Sequence, residues 1–239
     1  MAARITSTLN MPDVSIIIPT LNEQHTIRDL LTYLHSWNES PQIIVVDGGS
    51  SDRTVEEAQL MATVLDSPPG RAVQMNRGAE QAHGDILWFL HADTRPHPRS
   101  IEAIKHSLHT PNVIGGAFEW DLDAHGWIYR ASVWMSNRKN RLLDTFYGDM
   151  GIFIRASVFC EIGCYRDIPL MEDMQLCRDM KATGDIVILP QRILTSSRRW
   201  HDEGAAYNLV RNWMLQLAWR LGVSPHTLAT WYKFGNSST

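Results

Sequence analysis

Asp85-Ile86-Leu87-Trp88-Phe89-Leu90-His91-Ala92-Asp93-Thr94 is the stretch whose reading decides the fold. An apolar run from Ile86 to Leu90 stops abruptly at polar residues. A short apolar run bounded in this way suits a strand buried on both faces of a sheet. His91 and Asp93 stand two apart, so their side chains point the same way if the strand continues through them. A carboxylate leaving the carboxyl end of such a strand lies where open α/β sheets bind ligands. Asp93 is therefore the candidate for holding a divalent cation.

The flanking pattern supports a sheet. Val14-Ser15-Ile16-Ile17-Ile18-Pro19 predicts a first strand, β-branched and stopped by proline. Helical spacing follows at Ile27, Leu30, Leu31 and Leu34. A second buried strand covers 43–46, and a helix starts near Arg53 with Asp52 as its N-cap. A weaker strand covers 64–66 and a helix 71–82. This alternation predicts an α/β chain with a doubly wound, mostly parallel sheet flanked by helices. Further on, helices are expected over 101–108, 127–143 and 171–183, and strands over 116–122, 149–154 and 187–189. Residues 205–221 form an amphipathic helix with Leu209, Val210, Trp213, Met214, Leu217 and Leu221 on one face. That face is expected to pack on the sheet; a homodimer contact or peripheral membrane contact is the alternative.

The chain has 239 residues and a net charge of -4, with no long run of either sign. This points away from a nucleic-acid partner. One domain over 1–239 is expected, divided into 12–110, 111–202 and a C-terminal helical appendage (203–234). Met1-Ala2-Ala3-Arg4 leads into polar residues, so no signal peptide is expected, and no apolar run is long enough for a membrane span. Three cysteines without paired spacing fit neither a disulfide framework nor a zinc site. They are expected reduced and buried, in a cytoplasmic setting.

Three polar loops leave the carboxyl ends of the predicted strands: Thr20-Leu21-Asn22-Glu23, Asp47-Gly48-Gly49-Ser50-Ser51-Asp52 and His91-Ala92-Asp93-Thr94. In a parallel sheet they meet on one edge. Gly48 and Gly49 let backbone approach a ligand closely. Asp47 could bind a base or ribose, or simply stabilise its turn. There is no Walker A and no GxGxxG sequence. A hard cation such as Mg2+ or Mn2+ needs few carboxylates when phosphate oxygens and water complete its shell. Asp93 alone would then suffice, and His91 is read as a non-ligand. Glu172-Asp173 opens a helix, where it could cap the helix or supply a general base. Arg198-Arg199-Trp200 offers phosphate-gripping guanidinium groups beside an indole.

Together these motifs resemble glycosyltransferase family 2, of the GT-A (nucleotide-diphospho-sugar transferase) fold. The likeness runs from the first strand with Pro19-Thr20-Leu21-Asn22-Glu23 through Val45-Val46-Asp47-Gly48-Gly49-Ser50-Ser51-Asp52, Arg71, Asn76-Arg77-Gly78, Leu90-His91-Ala92-Asp93 and Glu172-Asp173 to Arg198-Arg199-Trp200. Gly148-Asp149-Met150-Gly151-Ile152-Phe153, Pro169-Leu170-Met171-Glu172-Asp173, Arg211-Asn212-Trp213 and Gly222-Val223-Ser224-Pro225 add a narrower resemblance to small enzymes linked to arsenosugar biosynthesis.

The resemblance implies inverting, metal-assisted transfer of a sugar from a UDP- or GDP-sugar to a small-molecule or lipid-linked hydroxyl acceptor. It assigns Pro19, Thr20, Asn22, Glu23, Asp47, Gly48, Gly49, Ser51, Arg71, Asn76, His91, Ala92, Asp93 and Arg199 to the nucleotide sugar. Asp93 would hold Mg2+ or Mn2+, Asp173 would be the base with Glu172 in support, and Gly148, Asp149 and Trp200 would meet the acceptor. His91 departs from the family, which often has Asp there, so one metal carboxylate remains. Two alternatives are a membrane-surface transferase to a polyprenyl phosphate and an inactive nucleotide-sugar-binding protein. The second would have no use for a base.

Overall fold

The structure, a computed structural model, describes residues 13–236; the side chains of residues 199, 201, 202, 205 and 233–236 lie outside the described residues. The first half alternates strand and helix: β1 (Val14–Thr20), α1 (Ile27–His35), β2 (Gln42–Asp47), α2 (Thr54–Gln59), β3 (Thr63–Asp66), α3 (Arg71–Glu80) and β4 (Ile86–Phe89). Then come β5 (Thr94–Pro96), α4 (Ser100–Ser107), β6 (Val113–Asp123), α5 (Trp127–Leu143), β7 (Phe153–Arg155), α6 (Ala156–Glu161), α7 (Glu172–Thr183) and β8 (Asp185–Ser196). Three helices close the described chain: α8 (Arg198–Glu203), α9 (Ala205–Arg220) and α10 (Pro225–Asn236).

The strands form one sheet in the order β3-β2-β1-β4-β7-β6-β8-β5. The β3-β2-β1-β4 block is parallel, as is β6 with β8. β7 runs antiparallel to both neighbours, and β5 runs antiparallel to β8. The sheet is therefore mixed, with its parallel half where strand and helix alternate.

Continuous apolar runs in β1, β2 and β4 feed both faces of the sheet. Ile16, Ile18, Val45 and Trp88 pack toward Ile27, Leu31 and Leu34 of α1. Ile17, Ile44, Val46 and Phe89 pack in the opposite cluster with Ala72 and Met75 of α3. Period-two alternation puts neighbours in sequence on opposite faces. Gly78 is needed where α3 crosses the sheet, because a Cβ there would overlap Ile17.

Four expectations are corrected. The strand expected over 149–154 is a 3-10 turn, Gly148–Met150, followed by the short β7. The short strand expected over 187–189 is the 12-residue β8. Its pairing with β6 passes from Phe118↔Leu189 to Glu119↔Arg192, so Pro190 and Gln191 sit in an irregularity and the strand survives the proline. Of the cysteines, all three are free, but only Cys177 is buried, and Cys160 is exposed. Finally, α9 turns its apolar face outward: Val210, Trp213, Met214, Leu217 and Leu221 are 42–77% exposed. Its inner side instead buries Asn208, Arg211 and Leu215.

Candidate active site

The carboxyl edge of β1, β2 and β4 is where the polar loops gather. β4 ends at Phe89, and residues 91–94 form a turn closed by the Thr94 N–H and hydroxyl, both donating to the His91 carbonyl (3.2 and 2.7 Å). Strand geometry thus does not persist through His91 and Asp93; a turn brings both to the edge. A cavity of about 600 Å³ opens there. Pro19, Thr20, Glu23, Arg71, His91, Ala92 and Asp93 line one part of it; Asp149, Glu172, Asp173 and Trp200 line another.

The loop after β2 is ordered by its own hydrogen bonds. Asp47 is buried, and its carboxylate accepts the N–H groups of Gly49 (2.9 Å) and Ser50 (2.8 Å) and the Ser50 hydroxyl (2.5 Å). Gly49, at φ +91°, supplies the left-handed backbone this turn requires. Gly48 donates its N–H to the Thr20 carbonyl. Asn22 accepts the Ser51 N–H (2.9 Å), and its own N–H donates to Ser50 (2.8 Å). So Asn22, Asp47, Gly48, Gly49 and Ser51 lock the β1 and β2 loops together behind the cavity wall. Asn76 is also turned elsewhere: its side chain clamps the backbone of Tyr165 through two hydrogen bonds (2.8 and 3.0 Å). The side chain of Arg199 lies outside the described residues. Its neighbour Arg198 forms an ion pair with Glu23 at 3.6 Å.

The second group is built on the start of α7. Asp173 accepts the Gly148 N–H on one carboxylate oxygen (2.8 Å) and the Met174 N–H on the other (2.7 Å). Two backbone donors therefore fix its orientation. Gly148 sits between Asp173 and the His91 ring; a Cβ there would come within 2.9 Å of His91 Nε2. A side chain there would require the His91 ring to shift. Glu172 is buried, 4.0 Å from Arg71. Burial first, then the charge of Asp173, raises its carboxyl above the ordinary range. Asp149, on the 3-10 turn, is pushed up to about 7 by burial and by the charges of Asp173 and Asp93.

This crowding of carboxylates suits a cation, since a positive ion would offset the burial and mutual repulsion that raise Asp149. Among the described residues, no three His, Cys, Asp or Glu side chains are grouped to hold an ion by themselves. An ion here would take a protein carboxylate and complete its shell from phosphate oxygens and water.

Two cavity features escape sequence reasoning. Gln74 is buried, and its Nε2 donates to the carbonyls of Thr20 and Val46 (2.8 Å each), tying β1 to β2 below the site. The one signal was a polar residue on the buried stripe of α3. Lys139 lines the cavity and donates to the Tyr147 hydroxyl (3.0 Å) and to Gln216 of α9 (2.8 Å). Burial, reinforced by Arg220, lowers its ammonium to about 8. Nothing in the sequence separated it from Arg138 and Arg141 on the same helix.

A mixed sheet with a ligand cleft at this edge is the GT-A architecture. A mannosyltransferase from Pyrobaculum calidifontis, solved in complex with GDP-Man and Mn2+, superposes with a TM-score of 0.68 at 16% identity, covering 96% of this chain and 71% of that one. The family model for glycosyl transferase family 2 matches residues 15–161, and the chain belongs to that family. Among curated relatives, glycosyltransferase AglE of Haloferax volcanii is 37% identical over 109 residues, 41% of this chain and 35% of its own length. An undecaprenyl-phosphate 4-deoxy-4-formamido-L-arabinose transferase of Edwardsiella ictaluri is 26% identical over 156 residues, 60% of this chain and 48% of its own length. The chain thus spans half or less of the length of these relatives.

Proposed function

We propose that this protein transfers a sugar, with inversion, from a UDP- or GDP-sugar to a hydroxyl acceptor, assisted by Mg2+ or Mn2+. One observation carries the reading: Asp93, at the carboxyl end of a buried parallel strand, and Asp173, held by two backbone N–H groups, face one cavity. An inverting displacement needs charge stabilisation at the leaving group and a base at the acceptor. In this scheme residues 12–110 hold the donor and 111–202 the acceptor. Asp93 would hold the ion, which when bound would offset negative charge on the diphosphate leaving group. Arg71 adds a second positive charge near it. Asp173 takes the acceptor proton, and Glu172 and Asp149 shape the field around it. Arg199, Gly148 and Trp200 keep the donor and acceptor roles that the motifs imply. The free cysteines support a reducing compartment such as the cytoplasm.

Motif likeness favours a small-molecule acceptor of the arsenosugar kind. The undecaprenyl-phosphate relative and the outward apolar face of α9 favour a second reading, a lipid-linked acceptor.

A thermal-shift panel of nucleoside diphosphates and nucleotide sugars, with and without Mn2+, tests the scheme. A UDP- or GDP-sugar should raise the melting temperature, and more so with metal. Asp93→Ala should lose the metal-dependent part, read by calorimetry. A metal effect undiminished in Asp93→Ala would overturn the metal role.

A further inference from the structure

α9 is amphipathic in the reverse of the usual sense. Tyr207, Val210, Met214, Leu217 and Leu221 recur at helical spacing on its outer side, each 47–77% exposed. The inner side is anchored: Leu215 packs with Met171, Met174 and Leu228. Arg211 pairs with Glu203 at 2.7 Å and donates to Asn208 at 2.6 Å. The outward apolar stripe is thus a fixed surface of a docked helix.

The segments that carry α5 and α9 are basic in sequence, although Glu119 and Glu203 reach Arg141 and Arg211 from outside them. Residues 124–143 and 204–239 contain seven Lys and Arg and no Asp or Glu, in a chain with 26 acidic residues. The first of these segments contains α5, which is joined to α9 by Lys139 and Gln216 and exposes Trp127 (79%) and Trp134 (64%). Apolar side chains, exposed tryptophans and the exposed Arg130, Arg138 and Arg220 together match an anionic lipid surface. A second copy of this chain would bring like charges together, so charge disfavours a symmetric dimer on this face. Among the described residues no helix is long and apolar enough to cross a membrane, so the contact would lie along the surface.

The same helix walls the cavity. Leu209 and Trp213 of α9 line it, as does Lys139, whose ammonium lies 5.6 Å from the Trp213 ring. We propose that α9, with the exposed side of α5, docks on an anionic bilayer and sets the cavity mouth at the lipid surface. The docking stands on this face alone; its consequence, an acceptor borne by a lipid, rests on the transferase reading.

Vesicle flotation tests it, using phosphatidylcholine vesicles with and without roughly 30 mol% phosphatidylglycerol, an anionic lipid that gives the surface a negative potential. The full chain should float with the anionic vesicles and stay behind with the neutral ones, and raised salt should release it. The double variant Met214→Glu, Leu217→Glu should lose at least tenfold in partitioning, with its melting temperature and nucleotide thermal shift unchanged. Lack of flotation with anionic vesicles would overturn the proposal, as would equal flotation of the variant. A concentration-dependent dimer abolished by the same two changes would also overturn it, assigning the face to a second copy. Because the nucleotide shift is read separately, a failed flotation leaves the transferase reading standing, and a failed nucleotide shift leaves the docking standing.

Discussion

Two helices of this protein share a pattern and do opposite things with it. In α1, Ile27, Leu30, Leu31 and Leu34 fall on one face and are at most 4% exposed. In α9, Val210, Trp213, Met214, Leu217 and Leu221 fall on one face and are 42–77% exposed. Spacing states which residues share a face; it does not state which way the face turns. The direction is set by what waits on the other side. α1 lies over the apolar β1, β2 and β4. α9 follows the end of the sheet, and its anchors are a buried arginine with an ion-pair partner and one leucine cluster. The β1–β4 half and the half after residue 111 share both core clusters, and the outward apolar face is particular to α9.

The largest effect expected from a single change lies in the second half and in catalysis. Asp173→Asn should lower turnover by ~10²–10⁴-fold, the usual worth of a positioned base. The amide can keep one of the two backbone hydrogen bonds, so nucleotide affinity should hold within about threefold, well under 1.4 kcal/mol. Steady-state kinetics beside calorimetry with the diphosphate separate the two quantities. Loss of both together would show that Asp173 belongs to donor binding, and the division between the halves would fall with it.

Next comes a test of the first half by stability. Leu31→Ala in α1 empties a fully buried site and should cost ~2–5 kcal/mol in a denaturant titration. A smaller loss would mean that α1 is held less firmly than its burial indicates.

The first half was legible because its physics is local. Uninterrupted apolar runs ended by polar loops make buried parallel strands, and the loops of β1 and β4 reach the cavity as expected. Asp47 was ambiguous for a physical reason. An aspartate before two glycines serves a ligand or its own turn equally well in sequence, and here its oxygens accept Gly49 and Ser50. Asn76 could not be placed, because its partner is the backbone of Tyr165, eighty-nine residues away. The long β8 was hidden by Pro190, whose disruption is absorbed only by a register shift against β6. Lys139 was hidden because its distinction comes from Gln216 and Tyr147, which no spacing brings beside it.

Lys139 also joins the two regimes, being a cation drawn into the wall that α9 shares. Burial and Arg220 lower its ammonium from 10.5 to about 8. A base with a depressed pKa binds fewer protons folded than unfolded between those values. Stability from this group is therefore present above about 10.5 and lost as pH falls through about 8. Lys139→Met should remove that dependence. The melting temperature of the variant relative to the parent should be highest below pH 8 and decline toward pH 10.5. The span is about 2 kcal/mol at most after allowing for the group's partial exposure. A difference flat in pH would mean that the ammonium is hydrated and does not belong to the wall.

The smallest effect is the sharpest test of the opening contrast. Leu217→Ala removes the same atoms from α9 that Leu31→Ala removes from α1. Leu217 is 58% exposed, so little transfer free energy is lost and no cavity is left. Alanine also favours the helix. Stability in solution should therefore change by no more than about 0.5 kcal/mol in the same denaturant titration. A loss near that of Leu31→Ala would place Leu217 in a packed interface in solution, and α9 would be an inward helix like α1. A near-zero change leaves its leucine without a folding role, so its apolar character must answer to something outside the fold.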